Sequence, residues 1–139
     1  MSTTTDLIQV PESAAYEAGF LIPVALTPAA HADCVAWTDA DAARTGAVQE
    51  PEGRLTDVLH MAALAVRRAR RSGPARLPFR VCRVATDARP GQDGDIEPDE
   101  VTLVLTLHKE EQGLHATISL PTETIPAGRE QPGQAAAGP

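Results

Sequence analysis

A chain of 139 residues with a hydrophobic fraction of 42% is the size of one domain, and at this length about two thirds of the unfolded surface can be buried. No run reaches the roughly 18 apolar residues of a membrane span, and the start, MSTTTDLIQV, has neither a basic nor an apolar leader region, so a cytoplasmic protein that does not enter a membrane is expected. The net charge of -7 and the few aromatics, Tyr16, Phe20, Trp37 and Phe79, argue against a nucleic-acid binder, which needs cationic grooves and stacking rings.

The segment VPESAAYEAGF, 10–20, predicts a short helix with Ser13 as its cap and Gly19 as its left-handed end. LIPVAL, 21–26, predicts a strand that is an edge or starts after Pro23, because proline has no N–H to donate. Thr27 followed by Pro28 opens a helix, with Ala29, Ala32, Val35 or Ala36, and Trp37 as its inward stripe. After TDADAAR a polar connection runs through Gly46. A long helix then begins near Pro51, with Glu52 in its first turn. Leu55, Val58, Leu59, Ala62, Ala65, Val66 and Ala69 recur on it at three and four residues, and Met61 and Leu64 widen the stripe. The residues SGP at 72–74 stop it.

Three strand patterns follow. LPFRVCRVA, 77–85, changes phase between Val81 and Cys82, which predicts a bulge. VTLVLTLH, 101–108, places Val101, Leu103, Leu105 and Leu107 on one face. GLHATISL, 113–120, sets Leu114, Ala116, Ile118 and Leu120 against a wetter face of His115, Thr117 and Ser119, and the short KEEQG makes the pair an antiparallel hairpin. Between the first two strands, TDARPGQDGDIEPD, 86–99, predicts a mobile acidic loop. These elements give an α+β fold, in which a small, mainly antiparallel sheet of three to four strands carries two main helices packed on one face. One globular domain spans 1–121, and a Pro/Gly/Ala-rich tail over 122–139 is expected to be disordered.

Charge is blocked along the chain: residues 1–53 carry -7, residues 54–89 carry +7 and residues 90–139 carry -7. The basic block centres on Arg67, Arg68, Arg70 and Arg71, followed by Arg76, Arg80 and Arg83. Cations in a last helical turn interact with the dipole by about 0.3 to 1 kcal/mol each, which accounts for two or three of them but not for seven. The rest are expected to pair with the acidic loop or to bind an acidic protein, with Arg67, Arg68, Arg70, Arg71 and Arg76 as the partner-binding set.

Residues 93–100, DGDIEPDE, fail as a calcium loop, because the sixth position from Asp93 is Pro98 where an EF-hand requires glycine. His31, Cys34, His60 and Cys82 supply two nitrogens and two sulfurs but lack the paired spacing of a zinc site. Both cysteines are expected to be small buried hydrophobes. The nucleophile-elbow, zincin, phosphate-loop and dinucleotide-binding motifs are absent, so neither catalytic residues nor a cofactor are expected.

Two segments, GFLIPVALTPAAHADCVAW at 19–37 and GRLTDVLHMAALAVRRA at 53–69, resemble an uncharacterised family of short proteins from actinobacterial plasmids and integrative elements. The similarity runs over roughly residues 6–121 in the order PVALT, CVAW, GRL-x-DVL, Arg-rich exit, strands. The chain departs from that family at Thr56 and His60, polar where aromatics are common there. The resemblance implies a non-enzymatic accessory protein of a mobile genetic element that works through contacts with an unknown protein partner. One alternative is an inhibitor of a host defence nuclease or RNA-guided complex whose acidic surface mimics DNA. Another is a metal-dependent regulator built on His31, Cys34, His60 and Cys82.

Overall fold

The computed structural model describes residues 6–69, 75–111 and 113–123, and the tail from 124 onward, Arg70, Arg71 and the stop signal at 72–74 lie outside them. In chain order the elements are β1 Ile8–Gln9, α1 Glu12–Ala18, β2 Val24–Leu26, α2 Pro28–Cys34, α3 Asp39–Thr45, α4 Pro51–Arg68, β3 Arg76–Arg83, β4 Asp99–Glu110 and β5 Gly113–Ser119. The fold is α+β, as the alternation of patterns requires, but the sheet is mixed and has five strands in the order β1-β2-β5-β4-β3. β2 runs parallel to β5, Val24 opposite Ala116 and Leu26 opposite Ile118, while the remaining pairs are antiparallel. The expected three or four strands missed β1, whose two residues are too few to leave a period in the sequence.

Local chemistry sets most helix ends. Gly19 closes α1 at φ 113°, a left-handed geometry that costs glycine nothing; the start lies one residue before the expected cap, so Ser13 is inside the helix. Thr27 caps α2 by accepting from the Ala30 amide, with Pro28 in the first turn. α3 spans the TDADAAR segment, to which the sequence pattern assigns no element. It forms because Thr38 accepts from the Asp41 amide while Asp41 accepts from the Thr38 amide, a reciprocal cap that satisfies two orphan donors, and Gly46 ends it at φ 80°. The Thr38 amide and the Arg44 guanidinium hold the Asp41 carboxyl below its ordinary value of 3.8.

One face of the sheet receives α1, α2 and α4. Ala15 and Ala18 of α1, Ala30 and Cys34 of α2, and Val58, Leu59, Ala62 and Ala63 of α4 enter one cluster with Val24, Leu26, Phe79, Val81, Leu103, Leu105, Ala116 and Ile118. Each fully buried Leu, Val or Ile contributes about 1.5 to 3 kcal/mol relative to exposure. The stripes differ in detail from expectation. On α2 the inward residues are Ala30 and Cys34, and Ala29 and Ala32 face solvent, because the helix stops at Cys34 and its short face turns on the cap. On α4, Val58 and Leu59 are buried and Leu55 is half-buried, whereas Met61 and Val66 are 38% and 37% exposed. Val66 lies on the apolar side of the helix wheel but past the end of the packed surface.

β3 pairs with β4 without interruption from Arg76 opposite Thr106 to Arg83 opposite Asp99, so the expected bulge is absent. Phe79 and Val81 turn to the core, and the apparent phase change reflects Val84 and Ala85, buried after the strand has ended. Cys82, on the opposite face of β3, is exposed rather than buried. Thr117 and Ser119, expected on a wetter face, are buried together with Ala25 and Val104 beside them.

Leu59→Ala is expected to cost about 2 to 5 kcal/mol in urea unfolding and Val66→Ala less than about 0.5 kcal/mol. A comparable loss at both positions would contradict the placement of α4. Because the folded Asp41 carboxyl titrates below 3.8, its capping contribution is complete above that pH and is lost as pH falls through the folded value. Amide exchange in α3 should therefore accelerate in acid, and Asp41→Asn should remove that dependence.

Candidate functional site

The charged residues sort into a buried knot and an open exit. Arg54, four residues before Val58 on the same side of α4, is 5% exposed. Its Nε donates to the Val35 carbonyl at 3.1 Å, Nη1 to the Val84 carbonyl at 2.9 Å and to Gln49 Oε1 at 3.4 Å, and Nη2 to the Asp33 carbonyl at 3.3 Å. The guanidinium carbon lies 4.7 Å from the centroid of the Trp37 ring. Asp33 and Val35 end α2, where carbonyls have no intrahelical partner, and Val84 follows the last residue of β3. One planar fork with five donors thus satisfies three carbonyls at the ends of two elements, a geometry that a lysine ammonium cannot reproduce. Burial lowers the Arg54 pKa from its ordinary value.

Beside it, Arg83 grips Asp33 Oδ1 with Nε at 3.1 Å and Nη2 at 2.8 Å, and its Nη1 lies 3.8 Å from Asp99 Oδ2. Asp33 therefore binds one arginine by its backbone and the other by its side chain. These residues hold the fold, although Nη1 of Arg83 is buried without a hydrogen-bond partner among the described residues. Sequence reasoning counted Arg54 only as part of the basic block. The available signal was its register, since 54, 58 and 62 fall on one helical face.

The partner-binding set looks different. Arg67 and Arg68 are exposed in the last turn of α4, and among the described residues neither has an ion-pair or side-chain hydrogen-bond partner. Nη1 of Arg67 lies 3.4 Å from where a Cβ on Gly19 would sit, so the guanidinium rests against the end of α1 through room that glycine leaves. Arg76 opens β3 and, among the described residues, reaches only the Pro121 carbonyl, at 3.4 Å. Arg70 and Arg71 lie outside the described residues.

Of the expected pairing of the basic run with the acidic loop, Arg83 makes one contact, to Asp99, whereas Arg67, Arg68 and Arg76 make none among the described residues. α4 runs antiparallel to β3, because Arg54 at its start touches Val84 at the far end of the strand. The exit of α4 is therefore at the Arg76 end, and loop 86–98, which contains no helix or strand, is at the Arg83 end. Eight strand residues separate the two by about 26 Å.

His31, Cys34, His60 and Cys82 are not brought together. Cys34 is fully buried under α2, Cys82 is exposed on the opposite face of the sheet, and His60 is exposed on α4. Among the described residues no group of three or more His, Cys, Asp or Glu side chains is placed to hold a metal ion. Burial, with Asp33 adding to it, pushes the Cys34 thiol up to about 11, which keeps it protonated and unreactive at neutral pH. A histidine pair was missed: His108 and His115 stack with centroids 4.7 Å apart, and His115 Nε2 lies 3.2 Å from Glu110 Oε2. Its signal was the hairpin register, which sets 108 opposite 115.

Arg54→Leu is expected to destabilise the chain by at least about 2 kcal/mol in urea unfolding, through lost charge-assisted bonds and stranded carbonyls, with Arg54→Lys recovering less than half. An aromatic disulfide reagent at pH 8 should modify one thiol, Cys82, in the native chain and Cys34 only after unfolding. Two equally fast thiols would refute the burial of Cys34. Compared with known proteins, the chain matches no protein-family model, no curated protein and no solved structure.

Proposed function

We propose that the chain is a non-enzymatic accessory protein of a mobile genetic element that acts by docking to another protein, with the Arg-rich exit of α4 as a contact surface. The observation that carries this reading is the lack of an internal partner for Arg67 and Arg68 among the described residues, in a chain where Arg44, Arg80 and Arg83 each meet an acid. Arg44 pairs with Asp41, Arg80 with Glu100 at 3.3 Å and Arg83 with Asp33. Uncommitted guanidiniums at one end suit the bidentate recognition of carboxylates. The accessory role in a mobile element rests on the resemblance of the CVAW and GRL-x-DVL segments. Those two segments meet in the fold, where Arg54 of the second lies over Trp37 of the first.

The test is affinity capture from cells that carry the gene, with the parent chain and with Arg67→Glu/Arg68→Glu. Both positions are exposed, so the double variant should keep the parent's unfolding midpoint and lose the captured protein. A variant that retains the same partner at the same yield would remove the exit of α4 as the contact surface.

A further inference from the structure

β3 is a terminal strand of the sheet, paired only with β4. The Leu107 amide bonds the Ala75 carbonyl at 2.8 Å, which fixes the phase of the ladder: 77, 79, 81 and 83 face β4, and 76, 78, 80 and 82 turn their backbone groups outward. Pro78 falls on an outward position, the place in a strand where a missing N–H costs no bond. Two outward donors remain near the middle of the strand, the amides of Arg80 and Cys82, together with the carbonyls of Pro78, Arg80 and Cys82. Among the described residues no backbone group bonds them.

Side chains along this edge favour one kind of occupant. Arg76, Arg80 and Cys82 project from the face away from the helices, and all three are exposed. Among the described residues Arg80 has only the exposed carboxylate of Glu100, across the strand pair, as its partner. On the helix side, Met61 lies about 160° around α4 from Ala63, which faces the end of α1, and is 38% exposed. A second copy of the chain fits this edge poorly. A two-fold pairing centred on Pro78 sets Arg76 against Arg80, and one centred on Arg80 sets two guanidiniums face to face.

We propose that the outer edge of β3 receives an extended segment of an acidic partner protein as a sixth strand, with carboxylates four residues apart set against Arg76 and Arg80 and apolar residues turned toward the helix side. This rests on the reading of the chain as a protein-docking module and adds to it a second surface and a mode of binding. Backbone bonds at Arg80 and Cys82 supply the register, and the alternate carboxylates supply the selectivity.

The probe is a blocked seven-residue peptide with Glu at its second and sixth positions, Ser at the fourth and Val elsewhere, titrated into the full chain while amide exchange is followed residue by residue. Saturable binding is expected, with slowed exchange at Arg80 and Cys82. It should weaken by at least about tenfold with Arg80→Glu, with Lys in place of both Glu residues, and with a peptide N-methylated on alternate amides. The N-methylated peptide leaves the protein unaltered, so its result does not depend on a variant that folds. Equal binding of that peptide, an unchanged Arg80→Glu variant, or no saturable binding would overturn the proposal. A dimer of the free chain with Arg80 and Cys82 already protected would overturn it as well, since a second copy would then fill the edge. Arg67→Glu/Arg68→Glu should bind the peptide as the parent does, so failure of the peptide and failure of the capture experiment are separable.

Discussion

The fold turns on the burial of one guanidinium. Arg54, in the first turn of α4, is drawn out of water at the point where α2 ends and β3 ends, and its fork satisfies the Asp33 and Val35 carbonyls of the first and the Val84 carbonyl beyond the second. Burying a cation is expensive, and the bonds to three carbonyls and the face of Trp37 offset that cost without a buried carboxylate against it. Such an arrangement fixes a geometry as well as contributing stability, because without the guanidinium three carbonyls would be left unbonded. What it specifies here is the direction of α4. With its first turn pinned beside Val84, the helix must run back along β3.

From that direction the charge layout follows. Along the sequence a basic block sits between two acidic blocks, and mutual neutralisation looks natural. In the fold the length of β3 intervenes, about 26 Å against a screening length of about 8 Å at physiological salt. Three arginines at the loop end of the sheet are engaged locally: Arg44 also bonds the Thr86 carbonyl, Arg83 takes Asp33, and Arg54 is enclosed. Arg67 and Arg68, in the last turn of α4, have no such neighbour among the described residues. Basic residues of one sequence block therefore have different fates: Arg54 and Arg83 are engaged at the loop end of β3, while Arg67 and Arg68 are exposed at the other end.

The edge of the sheet shows the same division of labour. β1, with two residues, closes one side too briefly to present a long template, and the other side is left to β3. Pro78 and the outward arginines are the devices by which edge strands avoid pairing with copies of themselves. They leave two adjacent donors, at Arg80 and Cys82, unblocked.

The sequence by itself determined what depends on neighbours within a few residues. The Thr27–Pro28 opening, the Gly19 stop, the start of α4 at Pro51 and the alternation along β4 and β5 are local, and each is legible because a cap, a left-handed turn or a period acts over one turn or one strand. Even α3 was written there in the Thr38 and Asp41 pair, though as a spacing that a loop-like composition masked. Tertiary structure alone decided the parallel pairing of β2 with β5, the exposure of Cys82 and Val66 and the burial of Thr117 and Ser119. It alone also decided whether an arginine is a clamp or a free charge. Those outcomes depend on which surface arrives from far along the chain to cover a residue, and covering is a property of packing to which neither side-chain type nor local period has access.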